Sequence, residues 1–270
     1  MRRELEPPYL IARPPHAPGE RVAVTADVTA GVIEVAMQGR WTPSLRIAAW
    51  VAVTKCFVEH PLAVVVDLHG LDDPLAASAP AWWTMGMTGA RMAPPVAVVV
   101  CVPRATPLAA RLNRLGAKRH LPVFATLDEA RRAVSTRLPM TDRVQLRLAP
   151  RPDAVCRARE LTVDACTAWE QPRVLRPAGL VVAELVDNAV RHAGTDIVVT
   201  VSRRGAGLHL AVNDDDPELP VLPGPASQRP GEPRDDSHGL RAVHAAAAAW
   251  GAMPTDTGKV VWALVRPDRS

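Results

Sequence analysis

The chain has 270 residues, 48% of them apolar and 22% charged, a balance that fills hydrophobic cores and excludes a disordered polypeptide. At about 150 residues per domain the length fits two small domains. The formal net charge is only +4, so the pI of about 9.2 partly reflects arginines that never deprotonate, and a nucleic-acid reading would need a local basic patch. No apolar run approaches the roughly 18 residues of a membrane span. Met1-Arg2-Arg3-Glu4 leads into prolines without an apolar segment, so no secretory signal is expected. Cys56, Cys101, Cys156 and Cys166 show no C-x-x-C spacing and read as reduced thiols. These features together point to the cytoplasm.

Residues 1–20 carry Pro7, Pro8, Pro14, Pro15 and Pro18 and are expected to form a flexible arm outside any regular ladder. Val22–Ala26 and Val32–Gly39 read as a hairpin, and Pro43–His60 as a helix. The continuous apolar runs Ala63–Leu68 and Val96–Val102 read as buried strands. Helices are expected at Ala79–Ala90, Thr106–Leu115 and Leu127–Thr136, with a short strand at Val123–Ala125. Such alternation of buried strands and helices predicts an α/β domain over 21–138.

A weak linker at 139–142 precedes a different order of elements, expected to form a second domain over 143–268. Val144–Leu148 reads as a strand, Ala154–Trp169 and Arg176–Ala193 as long helices, and Ile197–Arg203 with Leu208–Asn213 as a hairpin. From Pro217 to Ser237 six prolines forbid regular structure, and a loop of this length inside a domain is usually functional or disordered. An Ala-rich helix is expected from about His238 to Trp250, then a terminal hairpin of Gly251–Thr255 with Val260–Val265.

Four clusters could carry chemistry. On the helix Arg176–Ala193, residues Glu184, Asp187, Asn188, Arg191 and His192 form one polar stripe at 100° per residue, interrupted earlier by Leu180 and Val181. A solvated helix face is one reading. Asn188, however, is a poor helix former in mid-helix, and Glu184, Asn188 and His192 at i, i+4 and i+8 set a carboxylate one turn from an amide oxygen. A site that polarises a hydroxyl beside a metal-bound phosphate needs that spacing. The second cluster, Asp214-Asp215-Asp216 before Pro217, closes a strand, and it also fits plain turn chemistry. In the third, Ser237-His238-Gly239-Leu240, Gly239 opens a helix whose amides could face a phosphate, or serves only packing. The fourth, Gly258-Lys259-Val260, enters the last strand.

In this order the clusters resemble the nucleotide-binding boxes of the GHKL ATPases, above all the bacterial anti-sigma-factor serine kinases; the phrase Ala183–Ala193 is similar to their N-box. The resemblance implies a Bergerat-type α/β sandwich that binds ATP and Mg²⁺. It implies Glu184 as general base on a partner's serine hydroxyl, Asn188 as the Mg²⁺ ligand, and Asp214 as acceptor for the adenine amino group. His192, Gly239 and Leu240 would complete the nucleotide site, with the proline-rich loop as lid. Three positions depart from the family pattern: Asp216 stands for a glycine, Ser237 for the first glycine of Gly-x-Gly, and Val260 for a hydroxyl residue.

The first domain resembles a STAS domain, the fold of the anti-sigma-factor antagonists that such kinases phosphorylate, on Val64-Val-Val-Asp-Leu-His-Gly-Leu71, Leu115-Gly116 and Asp128-Glu-Ala-Arg-Arg132. Counting from that phrase puts the phosphoacceptor position at Ala76, with Ser78 the nearest hydroxyl. The implied partners are a STAS-type antagonist supplied in trans and a sigma factor, and a homodimer is among the assemblies the resemblance allows. The alternative class is a non-catalytic nucleotide-sensing or docking module of the same partner-switching kind. Arg104, Arg111, Arg114, Lys118, Arg119 and His120 form a basic stretch, but no aromatic side chains interleave for base stacking, so a solvated face is expected and no nucleic acid.

Overall fold

The computed structural model describes residues 8–11, 19, 21–27, 30–92, 95–115, 121–135, 142–220 and 237–267. It is a mixed α/β protein with two sheets and seven α-helices among the described residues. The contacts divide the chain into two compact units, one comprising Ile11–Pro139 and the other Met1–Leu10 together with Met140–Ser270. None of the described helices is long and apolar enough to cross a membrane.

The first unit is built on β2 (Arg21–Asp27), β3 (Val32–Arg40), β4 (Ala63–Asp72), β5 (Ala97–Cys101) and β6 (Val123–Phe124), side by side in that order. Only β2 and β3 are antiparallel; the parallel neighbours follow crossovers through α1 (Pro43–Val58), α2 (Ala79–Ala90) and α3 (Pro107–Arg114). Parallel strands need both faces covered, and β4 meets this with Ala63, Val64, Val65 and Val66, all without solvent exposure. Ala63, Val65, Val99 and Cys101 pack with Ala130 and Val134 of α4 (Leu127–Ser135), so strand alternation turns Val64 and Val66 to the other face. Thr42 and Thr106 cap α1 and α3, their hydroxyls accepting from the amides of Leu45 and Ala109 at 3.1 and 3.2 Å.

The second unit is a six-stranded sheet in the order β1 (Tyr9–Leu10), β10 (Ala249–Pro254), β11 (Lys259–Val265), β9 (Gly207–Asp214), β8 (Ile197–Arg204) and β7 (Arg143–Leu148). One face carries α5 (Ala154–Ala168), α6 (Leu175–His192) and α7 (Ser237–Ala246), whose apolar residues meet Ile197, Val199, Leu210, Val212, Val261 and Ala263 in a continuous core. This is the two-layer arrangement in which an amphipathic helix buries its stripe on a sheet.

Two elements depart from the sequence reading. Tyr9–Leu10, placed in a flexible arm above, instead forms the edge strand β1, parallel to β10. Local prolines do not prevent this, because the pairing partner is supplied by tertiary structure. The helix expected as far as Trp250 ends at Ala246. Trp250 enters β10 opposite Ala263, and its indole N–H donates to His244 Nδ1 at 3.1 Å. The expected lid beyond Pro220, residues 221–236, lies outside the described residues, as do Lys118, Arg119, His120 and most of the linker.

Candidate functional site

Helix α6 runs for 18 residues and buries Ala178, Val181, Val182, Ala183, Leu185, Val186 and Ala189. Val181, which interrupts the polar stripe on paper, is wholly buried, whereas Leu180 is exposed. Glu184, Asp187 and Asn188 are half-buried along the remaining stripe, Asp187 forming an i,i+4 ion pair with Arg191 at 2.9 Å. The helix ends with Gly194 at φ +59°, the left-handed residue that terminates many helices. Thr195 just beyond it accepts the Asp215 amide at 3.1 Å, so the end of α6 is tied to the three-acid turn.

The first turn of α7 lies against this stripe. A Cβ added to Gly239 would stand 2.7 Å from Glu184 Oε2 and 3.6 Å from Asn188 Oδ1. Glycine is therefore what lets main chain approach both polar groups together. Leu240, the next residue, turns its side chain into the core, which leaves only its main chain for contact with a ligand. Glu184, Asn188 and Gly239, separated by up to 55 positions in sequence, are one cluster in space.

The second cluster surrounds Lys259. Register sets Lys259 on β11 directly opposite Asp214 on β9, and its buried ammonium uses three acceptors: Asp214 Oδ1 at 3.1 Å, Asp216 Oδ2 at 2.7 Å and the Asp216 carbonyl at 3.1 Å. Asp214 Oδ1 also accepts the Asp216 amide at 3.0 Å. Burial pushes the Asp214 carboxyl up, opposed by the neighbouring Lys259 charge and hydrogen bond. Asp216 moves the other way: the Lys259 hydrogen bond and the Glu218 amide hold its carboxyl below the ordinary value, with exposed His192 at the end of α6 acting in the same sense. Gly258 backs this turn, since a Cβ there would overlap the main chain of Asp214 and Asp215. Val260, next on β11, is buried on the opposite face by strand alternation, so a hydroxyl at that position would not face Asp214.

No group of three or more His, Cys, Asp and Glu able to hold a metal ion by itself occurs among the described residues. A cation at Asn188 would therefore need most of its oxygens from a ligand and water.

Sequence reasoning missed Lys259 as the partner of both acids. It also missed a cleft of about 710 Å³ in the first unit, lined in part by Val102, Arg104, Asn113, Phe124, Glu129 and Arg132. Arg104 there pairs with Glu129 at 3.3 Å, and Arg111 donates to the Ala76 carbonyl at 3.0 Å, so two members of the expected basic stretch are engaged within the protein.

No family model matches the sequence, and no curated protein matches it. Eleven chains of solved structures match. One is the crystal structure of an anti-sigma factor antagonist from Mycobacterium paratuberculosis, 21% identical, covering 44% of this chain and 97% of its own, with a TM-score of 0.37. A likeness at that score carries no functional conclusion.

Proposed function

We propose that the C-terminal module binds MgATP and transfers the terminal phosphate to a serine hydroxyl of a separate STAS-type partner, as its N-box resemblance to the anti-sigma-factor serine kinases suggests. The N-terminal module would be a STAS-like docking or inhibitory domain, and the pathway one that sets the availability of a sigma factor. The observation that carries this reading is the approach of Gly239 to Glu184 and Asn188. It supplies, in one place, a carboxylate base, an amide oxygen and the start of a helix.

In this mechanism Glu184 accepts the proton as the partner's serine oxygen forms its bond to the γ-phosphorus and the bond to the ADP oxygen breaks. Asn188 would hold Mg²⁺, which would supply neutralisation of charge on the phosphates. The first turn of α7, at Gly239 and the Leu240 main chain, orients them, with His192 at the far end of the stripe. Asp214 accepts the adenine amino group. The additional charge of Asp216 is offset in part by Lys259, which it shares with Asp214.

The second reading, a nucleotide-sensing or docking module without catalysis, is favoured by Lys259 already engaging the Asp214 carboxylate. Calorimetric titration with MgATP, followed by assay of labelled γ-phosphate on a serine-bearing STAS antagonist, separates the two. Binding with transfer supports the kinase, binding without transfer supports the sensor, and absence of binding defeats both.

A further inference from the structure

The N-terminal segment enters the C-terminal sheet through a seat built for it. In register, Tyr9 faces Gly251 on β10, and Gly251 faces Trp262 on β11. The glycine leaves a gap in this row, and across it the Tyr9 and Trp262 rings stack, with centroids 6.3 Å apart and planes 13° from parallel. Trp262 also stacks against His209 at 5.8 Å. An aromatic ring covering a cross-strand glycine is a recognised device for fixing strand register. The glycine is also required sterically: a Cβ on Gly251 would overlap the Tyr9 carbonyl and stand 3.0 Å from the Trp262 ring. Leu10, pointing the other way, packs on the helix-side core.

We propose that the edge of β10 is a strand-docking groove for an extended aromatic-aliphatic segment, and that Tyr9–Leu10 of the same chain is its resident occupant. An uncovered sheet edge offers a row of unpaired amides and carbonyls to any strand, and peptide recognition by strand addition uses main-chain bonds for affinity and alternate side chains for specificity. Here the aromatic residue reads Gly251 and Trp262 on one face while the aliphatic residue reads the core on the other. The first residues of the chain thus complete the C-terminal module, and the α/β domain of Ile11–Pro139 is an insertion between its first and second strands. Register and side-chain packing here are independent of whether the module binds a nucleotide.

The test is hydrogen exchange of the β10 amides, 249–253, in the full chain, in Leu10→Asp, and in the chain lacking residues 1–11. Exchange is expected to rise by about tenfold or more in both variants as the edge opens. A synthetic peptide of residues 5–14 should restore protection to the truncated chain, and should fail to do so when Gly251→Val is added. If Gly251→Val does not fold, as judged by far-UV circular dichroism, a peptide with Tyr9→Ala replaces it as the non-binding control. Unchanged exchange in Leu10→Asp and the truncated chain overturns the proposal, as does equal protection by the native and altered peptides. A concentration-dependent dimer that disappears on truncation overturns the intramolecular seat, because the occupant would then come from a second copy.

Discussion

Lys259 holds its ammonium 3.1 Å from the Asp214 carboxylate across strands β11 and β9, and the two side chains are only 8% and 2% exposed. Removing one partner of such a pair leaves the other charge buried and uncompensated, at a cost of about 3–5 kcal/mol. Lys259→Met should therefore lower the stability of the C-terminal module by that order in urea unfolding. The double variant Lys259→Met/Asp214→Asn should recover part of the loss, because the fully buried Asp214 charge is removed and only the more exposed Asp216 carboxylate loses its partner. A single variant as stable as wild type would show that the pair is solvated in solution.

Asp216 gives the same cluster a pH dependence. Its carboxyl is held below the ordinary value by Lys259, so its folded-state pKa lies under the unfolded one. That contribution to stability is complete above the unfolded pKa, about 3.9, and fades as pH falls through the folded value. Asp214, pushed up by burial, has the opposite sign: between its unfolded and folded pKa the native state binds the extra proton, and acidification through that window favours folding. The expected result is that Asp216→Asn is less stable than wild type at pH 7, and that the difference shrinks below about pH 4. Urea midpoints at intervals from pH 7 to pH 3 measure it; a difference that does not vary with pH would remove Lys259 as its cause.

Glu184 and Gly239 test the proposed chemistry together. Glu184→Gln keeps the shape of the side chain but cannot take the proton, so phosphate transfer should fall by about 10²–10⁴-fold with ATP still bound. Gly239→Ala places a methyl at the far end of that flexible carboxylate, which can swing aside; the fold should survive while transfer slows. In the Glu184→Gln background the Gly239→Ala change should have little further effect, since both act on one group. Additive losses in initial-rate measurements would mean that Gly239 serves a separate purpose.

Asp214→Asn should weaken MgATP binding by about 1.5–3 kcal/mol, the worth of a hydrogen bond to a charged acceptor. The wild-type affinity comes from the same calorimetric titration, and equal affinities would assign the Asp214 carboxylate to structure alone.

The α6 stripe was legible in the sequence because helical period alone puts Glu184, Asn188 and His192 on one side, and the alternating strands and helices of the first unit follow from apolar runs in the same way. What stayed hidden depends on which strands become neighbours. Lys259 meets Asp214 only through the β9–β11 register, 45 positions apart, and Tyr9 is drawn into a strand only because Gly251 and Trp262 form a seat for it. The alanine run after Gly239 carries no signal for its own end; the pairing of Ala249 and Trp250 with β11 stops the helix.

Ser78 is the hydroxyl nearest the acceptor position expected from the STAS resemblance, and it is buried. Ala76, at the acceptor position, sits at φ +53° and is 3% exposed, its carbonyl held by Arg111 at 3.0 Å. Asp73 accepts the amides of Ala77 and Ser78 at 2.8 Å each, so the loop is fixed without a phosphate. Ser78 has no solvent exposure, and its hydroxyl makes no hydrogen bond. Attack on the γ-phosphorus would require unwinding the start of α2, at the loss of both Asp73 bonds. Incubation with MgATP and a serine-bearing antagonist should therefore leave Ser78 unmodified in mass spectra while phosphate appears on the antagonist. Stoichiometric phosphate on Ser78 would refute this. An unpaired buried hydroxyl costs about 1–3 kcal/mol of desolvation without return, so Ser78→Ala should be at least as stable as wild type in urea unfolding. A marked loss of stability in that variant would show that the hydroxyl has a partner in solution.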